Sequence, residues 1–181
     1  LQPTIENCNT LVCTVKKQFI RNEFLSTIWQ EKEKRINYGV FLIKRLIEKD
    51  KEMANLCKAV GDGLYYMSRY QEGIIYDKKA LEIRREVLGE KHADTAQSYN
   101  NVGCSYEELG ERKKGLEYKE KALEIRREVL GEKHADTAQS YNNVGNSYWK
   151  LGERKKGLEY QEKALEICRE VLGEKHADTA R

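Results

Sequence analysis

Three histidines, His92, His134 and His176, recur at one fixed interval, and imidazoles in series are the first residues to weigh as metal ligands. Each stands before an Ala-Asp-Thr-Ala string, and equivalent positions in packed helical units lie about 10 Å apart, too far to share one ion. A structural role is expected for them. Five cysteines, Cys8, Cys13, Cys57, Cys104 and Cys168, are odd in number and follow neither zinc nor disulfide spacing. That pattern predicts no bound metal and a reducing, cytoplasmic compartment. The chain has no Gly-rich phosphate loop, no nucleophile elbow and no paired carboxylates with a plausible pocket, so neither a cofactor nor an enzymatic reaction is expected. The basic runs Arg112-Lys113-Lys114 and Arg154-Lys155-Lys156 could meet phosphate, but each follows a glutamate and lacks the interleaved aromatics of a single-strand platform. Asparagine pairs remain. Asn100-Asn101 and Asn142-Asn143 fall inside a helical pattern, where their propensity is poor and capping is not open to them. An amide both donates and accepts, so such a row can tie neighbouring helices together or hold an extended chain by its backbone.

The elements that position these residues follow from repetition. Ala80–Lys121 is followed by a near copy, Ala122–Lys163, and by the start of a third, Ala164–Ala180. A period of this size, about 42 residues, marks units that cannot bury their apolar face alone and must stack on neighbours. Leu46, Glu48, Lys49, Ala54, Val60, Gly61, Gly73, Tyr76 and Lys79 each stand one period before the same residue type, which predicts a degenerate unit over 38–79. The repeat array is thus placed at 38–181, with full copies at 80–121 and 122–163 and a partial one at 164–181. Residues 1–37 have no counterpart in the repeat. Ile5, Leu11, Val12, Val15 and Phe19, then Phe24, Leu25, Ile28 and Trp29 running on to Ile36 and Val40, follow helical spacing, with Asn22 placed to cap the second run. They are expected to form a helical cap or adaptor. Opening without methionine and stopping inside a unit, the chain is expected to be a fragment.

Within a unit two helices are predicted. In the second copy Asp136-Thr137-Ala138-Gln139 resembles a capping box, and helix A then presents Tyr141, Val144, Gly145, Tyr148 and Leu151, ending at Gly152. Helix B is expected from about Glu153, offering Leu158, Ala164, Leu165, Ile167, Val171 and Leu172 before Gly173. A glycine inside a helix costs about 1 kcal/mol relative to alanine, so Gly145 and Gly157 imply that the paired helices approach closely. The class is all-α, a stack of helix hairpins.

Tyr141, Val144-Gly145, Tyr148, Gly152, Gly157 and Ala164-Leu165-Glu166 together resemble the tetratricopeptide repeat. The 42-residue length and the run Ala122-Leu-Glu-Ile-Arg-Arg-Glu-Val-Leu-Gly131 followed by Glu-Lys-His-Ala-Asp-Thr-Ala138 are similar to the subclass found in kinesin light chains and nephrocystin, with Ala93, Ala135 and Ala177 where that subclass usually has proline. The resemblance implies a right-handed α-solenoid whose helix A residues line a concave groove for peptides or partner helices. It also implies that asparagine at the place of Asn101 and Asn143 holds the backbone of a bound peptide.

The two full copies differ at four places: Cys104 against Asn146, Glu107 against Trp149, Glu108 against Lys150, and Lys119 against Gln161. Three of these share one helix A face, which by the implied geometry looks into the groove. The expected function is a non-catalytic scaffold binding a protein or peptide through Tyr65, Tyr66, Asn100, Asn101, Glu107, Glu108, Asn142, Asn143, Asn146, Trp149 and Lys150. The alternatives are a self-association or sensor arm of a larger signalling protein, such as one with a nucleotide-binding domain, and nucleic-acid binding through the basic turns. The exposed ends of the stack could also join copies into a homo-oligomer. A net charge of +3 among 33 Lys and Arg and 30 Asp and Glu sets up no global field favouring nucleic acid or membrane, and no run of about 18 apolar residues offers a bilayer span.

Overall fold

The computed structural model describes residues 29–45 and 49–172. The helical runs expected from Ile5 to Ile28, with Asn22, lie outside them, as do Cys8, Cys13, Leu46, Glu48 and His176. Among the described residues there are seven α-helices and no strand: α1 (Trp29–Arg45), α2 (Lys51–Tyr66), α3 (Tyr70–Leu88), α4 (Ala93–Glu108), α5 (Arg112–Leu130), α6 (Ala135–Lys150) and α7 (Arg154–Leu172). They divide into two compact units between Val87 and Leu88.

A helix spans the boundary expected after Asn37. α1 runs unbroken through Asn37 and Tyr38, and its two ends stand one period before those of α3, to within a single position. Trp29 to Asn37 thus lie on the same helix as the start of the expected array. The reason is the apolar stripe: Ile36, Leu42 and Ile43 are buried together and continue one face of the same helix.

In the first unit, Met53, Ala54, Leu56, Cys57, Val60 and Leu64 of α2 close the core against that stripe and against Ala80 and Ile83 of α3. Asp50 caps α2, accepting from the Met53 backbone N–H at 2.6 Å. Lys49 braces α3 through Glu82 and Glu86 at 3.1 and 2.8 Å.

In the second unit α4 and α5 form one hairpin, and α6 and α7 the next. Leu116 and Leu123 of α5 have their cover in Ala138, Tyr141 and Val144 of α6, with Ala164 and Ile167 of α7 behind. One hairpin thus completes the core of the other. The glycines meet as their spacing requires. A Cβ on Gly145 would lie 2.9 Å from the Gly157 carbonyl oxygen and 2.8 Å from Gln161 Cγ, so only glycine allows the backbones this close. At the end of α6, Gly152 takes φ +85°. Its N–H reaches the Trp149 carbonyl at 3.0 Å while the Glu153 N–H reaches Tyr148 at 3.0 Å, the paired bonds that close a helix on a left-handed residue.

The helix starts differ from expectation. The caps are His92 and His134, whose Nδ1 atoms accept the backbone N–H of Asp94 and Asp136 at 3.0 and 3.1 Å. Asp136 sits inside the first turn, where its charge favours the positive end of the helix. The threonine that follows is engaged as well, since Thr95 and Thr137 donate to the carbonyls of Gly89 and Gly131 at 2.8 Å each. The string that recurs after each of these histidines is therefore a clasp that closes the turn before helix A, and the histidine completes it by accepting a backbone N–H. Leu158 and Val171, expected in the core, are exposed on α7.

Two substitutions test this packing by chemical denaturation. Gly145→Ala is expected to lower stability even though alanine is intrinsically the better helix former by about 1 kcal/mol; a raised midpoint would contradict the close approach. Tyr141→Ala, which empties a buried site and removes the bond from its hydroxyl to Glu132 at 2.5 Å, is expected to lower the unfolding free energy by about 3–5 kcal/mol.

Candidate functional site

Helices α4 and α6 lie side by side in the second unit, and each carries a row of residues at i, i+4 and i+8. On α6 the row is Asn142, Asn146 and Lys150, all exposed; on α4 it is Asn100, Cys104 and Glu108. The rows are linked at both ends. Asn143 Nδ2 donates to Asn100 Oδ1 at 2.9 Å, and Lys150 Nζ lies 3.6 Å from Glu108 Oε1. Asn101 accepts from Gln97 Nε2 on its own helix at 2.8 Å. Asparagine thus plays two parts, since Asn100 and Asn143 tie hairpins together while Asn142 and Asn146 face outward.

Glu107 departs from the expectation of a ligand-facing residue. Its side chain is buried where α4, α5 and α6 meet, with Lys119 Nζ at 2.9 Å from Oε1 and Lys150 Nζ at 2.8 Å from Oε2. Ser147 Oγ donates to the same carboxylate and accepts from Lys119 at 3.2 Å. Burial pushes the Glu107 carboxyl up, but the hydrogen bonds from Lys150, Ser147 and Lys119 outweigh it and hold the group below the usual carboxylate range. Physically, a carboxylate in a dry interior demands cations, and two are supplied from different helices.

Trp149 occupies the matching place on α6 and is exposed. Its Nε1–H donates to Gln161 Oε1 at 3.0 Å, and Gln161 Nε2 donates to Asn146 Oδ1 at 2.8 Å. The positions that differ between the copies are linked by contacts: Glu107 with Lys119 gives way to Trp149 with Gln161, whose amide donates to Asn146, and Lys150 enters to serve the first copy's carboxylate. Lys119, Gln161 and Ser147 are the members missing from the sequence-derived set. The signal for Lys119 and Gln161 was the fourth difference between the copies, which becomes meaningful once helix B is seen to lie beside helix A at that level; Ser147, identical to Ser105 in the other copy, carried none.

Tyr65 and Tyr66, in the first unit, stand one period before Glu107 and Glu108. Their rings meet edge to face at 6.3 Å, Tyr65 also contacts Tyr70 at 5.2 Å, and Tyr66 is 63% exposed. The basic turns are largely engaged. Lys114 lies 3.1 Å from Glu111 and 4.4 Å over the Tyr106 ring, Lys156 lies 2.6 Å from Glu153 and 5.2 Å over Tyr148, and Arg112 donates to the Lys150 carbonyl at 3.1 Å. Among the described residues no group of three or more His, Cys, Asp or Glu is placed to hold a metal, and no helix is long and apolar enough to cross a membrane.

Hairpins that complete one another's cores and display polar rows on one set of helices define a helical-repeat protein of the interaction-scaffold class. Two family models, both described as tetratricopeptide repeat, match residues 52–128 and 106–156 and residues 137–178. The chain belongs to the tetratricopeptide repeat family. Among solved structures it is similar to BtubC (BKLC) from P. vanneervenii, with 21% identity and a TM-score of 0.68 over 92% of this chain and 63% of that one. A Podosopora anserina putative kinesin light chain with nearly identical TPR-like repeats matches with 14% identity and a TM-score of 0.71, over 94% of this chain and 79% of the other. A Rap protein complexed with competence and sporulation factor matches with 16% identity and a TM-score of 0.66, over 92% of this chain and 42% of the other. These likenesses show the fold, an all-α solenoid of stacked hairpins. This chain spans less than two thirds of the BtubC chain. No curated protein matches it in sequence.

The Glu107 cluster predicts how the second unit responds to charge and pH. Because the folded state holds this carboxyl below its unfolded value of about 4.3, its contribution is complete above that value and is lost as pH falls through the lower folded one. Glu107→Ala, which leaves Lys119 buried beside no carboxylate, is expected to lower stability by about 3–5 kcal/mol near neutral pH. Removing the stranded cation as well, in Glu107→Ala with Lys119→Met, is expected to recover part of that loss in the same denaturation assay. Additive losses from the two substitutions would contradict the coupling.

Proposed function

We propose that this chain is a non-catalytic protein-binding scaffold whose second unit holds an extended peptide along the paired rows of α4 and α6. The observation that carries the reading is the outward row Asn142, Asn146 and Lys150, set beside Asn100, Cys104 and Glu108 and fixed to it at 2.9 Å through Asn143. Amides at four-residue intervals match the alternating donors and acceptors of an extended backbone, so they favour binding that depends weakly on the ligand's side chains. Glu108 and Lys150 at the far end add one charge of each sign. In the first unit the exposed Tyr66 holds the corresponding repeat position and offers an aromatic contact of the kind that dominates interface energetics.

A relative that is complexed with a named factor, the Rap protein, supports the same use of the fold. Expressed as a class, the ligand is a protein segment met in a reducing, cytoplasmic compartment, where five unpatterned cysteines are chemically at ease. Nucleic acid is disfavoured because Lys114 and Lys156 spend their charge on Glu111 and Glu153.

The reading is tested with a peptide selected from a random library against the wild-type chain. Asn142→Ala combined with Asn146→Ala is expected to weaken its binding about tenfold or more in calorimetric titration, with the thermal midpoint unchanged, since both side chains are exposed. Unaltered affinity for every selected peptide would overturn it.

A further inference from the structure

An asparagine or glutamine amide can present either of two ends, an accepting oxygen or a donating nitrogen, and its hydrogen-bond partners decide which. An indole N–H and a guanidinium have no such choice, since both donate and neither accepts. Each stands at the root of an amide relay in the second unit. Trp149 Nε1–H donates to Gln161 Oε1 at 3.0 Å, which turns the Gln161 nitrogen toward Asn146, and Gln161 Nε2 donates to Asn146 Oδ1 at 2.8 Å. The Asn146 oxygen is thereby engaged, and its amide nitrogen becomes the presented end. Arg126, buried on α5, roots the other relay. It donates to Gln97 Oε1 at 2.6 Å, and Gln97 Nε2 donates to Asn101 Oδ1 at 2.8 Å. The order is the same: an obligate donor, a glutamine, then an asparagine held by its oxygen.

Asn100 on α4 is turned the same way. Its Oδ1 accepts from Asn143 Nδ2 at 2.9 Å, while its own Nδ2 faces the Cys104 thiol at 3.9 Å, a weak acceptor. At Asn100, Asn101 and Asn146 alike, the oxygen is engaged inside the protein. The position of Asn146 does not owe its access to the absence of a further helix beyond α7. In the hairpin that α6 covers, the equivalent Cys104 is still partly exposed. The relay on α6 and α7 also accounts for three of the four differences between the copies, since Asn146, Trp149 and Gln161 replace Cys104, Glu107 and Lys119 together.

We propose that these bonds preset the polarity of the amide rows, so that Asn146, with Asn100 on the neighbouring helix, meets a ligand as a donor and selects the backbone carbonyls of an extended peptide. The inference rests on the peptide-binding reading and adds a direction to it. An amide able to turn would meet a carbonyl or an N–H equally well, whereas one held by its oxygen meets only acceptors. Gln161 is then a positioning residue that acts through Asn146, and Trp149 is the donor that fixes which way Gln161 points. Holding these amides in advance spares the ligand the cost of ordering them.

The full chain is to be titrated with a peptide selected against it from a random library, in high salt so that added charge is screened. Asn146→Asp keeps the oxygen that Gln161 holds and exchanges the presented donor for an acceptor. It is expected to weaken binding about tenfold or more, and no less than Asn146→Ala does. Gln161→Glu keeps an acceptor for the indole but loses the donor to Asn146, and is expected to weaken binding about threefold or more. In proton–nitrogen correlation spectra of the chain without peptide, Gln161→Met is expected to shift both the Trp149 indole signal and the Asn146 side-chain amide signals. If Asn146→Ala weakens binding while Asn146→Asp or Gln161→Glu binds as the wild type does, the polarity is wrong and the peptide reading stands. Affinity indifferent to Asn142→Ala with Asn146→Ala overturns both. Indole and amide signals that ignore Gln161→Met overturn the relay whatever the peptide does.

Discussion

The buried apolar side chains of one hairpin find their cover on the next, and the rest of the second unit depends on that constraint. Leu116 and Leu123 project from α5 toward α6, where Ala138, Tyr141 and Val144 receive them. A hairpin with half a core is not a stable unit, so stability resides at the junctions between hairpins rather than within them. The glycines at 103, 115, 145 and 157 serve the same constraint by drawing each pair of backbones together, which leaves the hairpin thin enough to present a flat face to its neighbour.

Once junctions carry the stability, small differences between copies decide what each face accepts. The Glu107 carboxylate, Lys119 and Lys150 make the α4–α5 face one that takes a helix with cations and hydroxyls. The tryptophan and glutamine at the same level of α6 and α7 make a face that needs no charge from its occupant. Near-identical units stacked in series run the danger of slipping register. Burying a charge at one junction only, with its counter-ion on the neighbouring helix, makes one order of the copies better than any other.

The outward face is governed by different physics. There the amides of Asn142 and Asn146 are exposed, Lys150 turns toward Glu107 and Glu108, and the rigid helices beneath hold them at fixed intervals. The scaffold supplies the fixed spacing that the proposed hold on an extended chain requires. The first unit carries tyrosines at the matching repeat positions, so the same place in the helix serves as carboxylate, indole or phenol in different units.

The repeat, its helix pairs and its left-handed stops were legible in the chain because they rest on local rules. Period, apolar spacing and glycine position each act within a few turns of helix, and every copy repeats them. Two local signals pointed one step away from the structure. The caps proved to be His92 and His134 because an imidazole nitrogen accepts as well as a carboxylate does, and α1 continued through Asn37 because its apolar stripe does not break there. Which side chains face a partner was a different matter. Glu107 and Trp149 share a position and a pattern, yet one is buried and the other open, since exposure depends on what packs from outside the helix. The sequence by itself determined the class, the period and the hairpin; only the tertiary structure decided how the four differences are linked, because side chains far apart along the chain, such as Glu107 and Ser147, become neighbours solely through the stacking of one hairpin on the next.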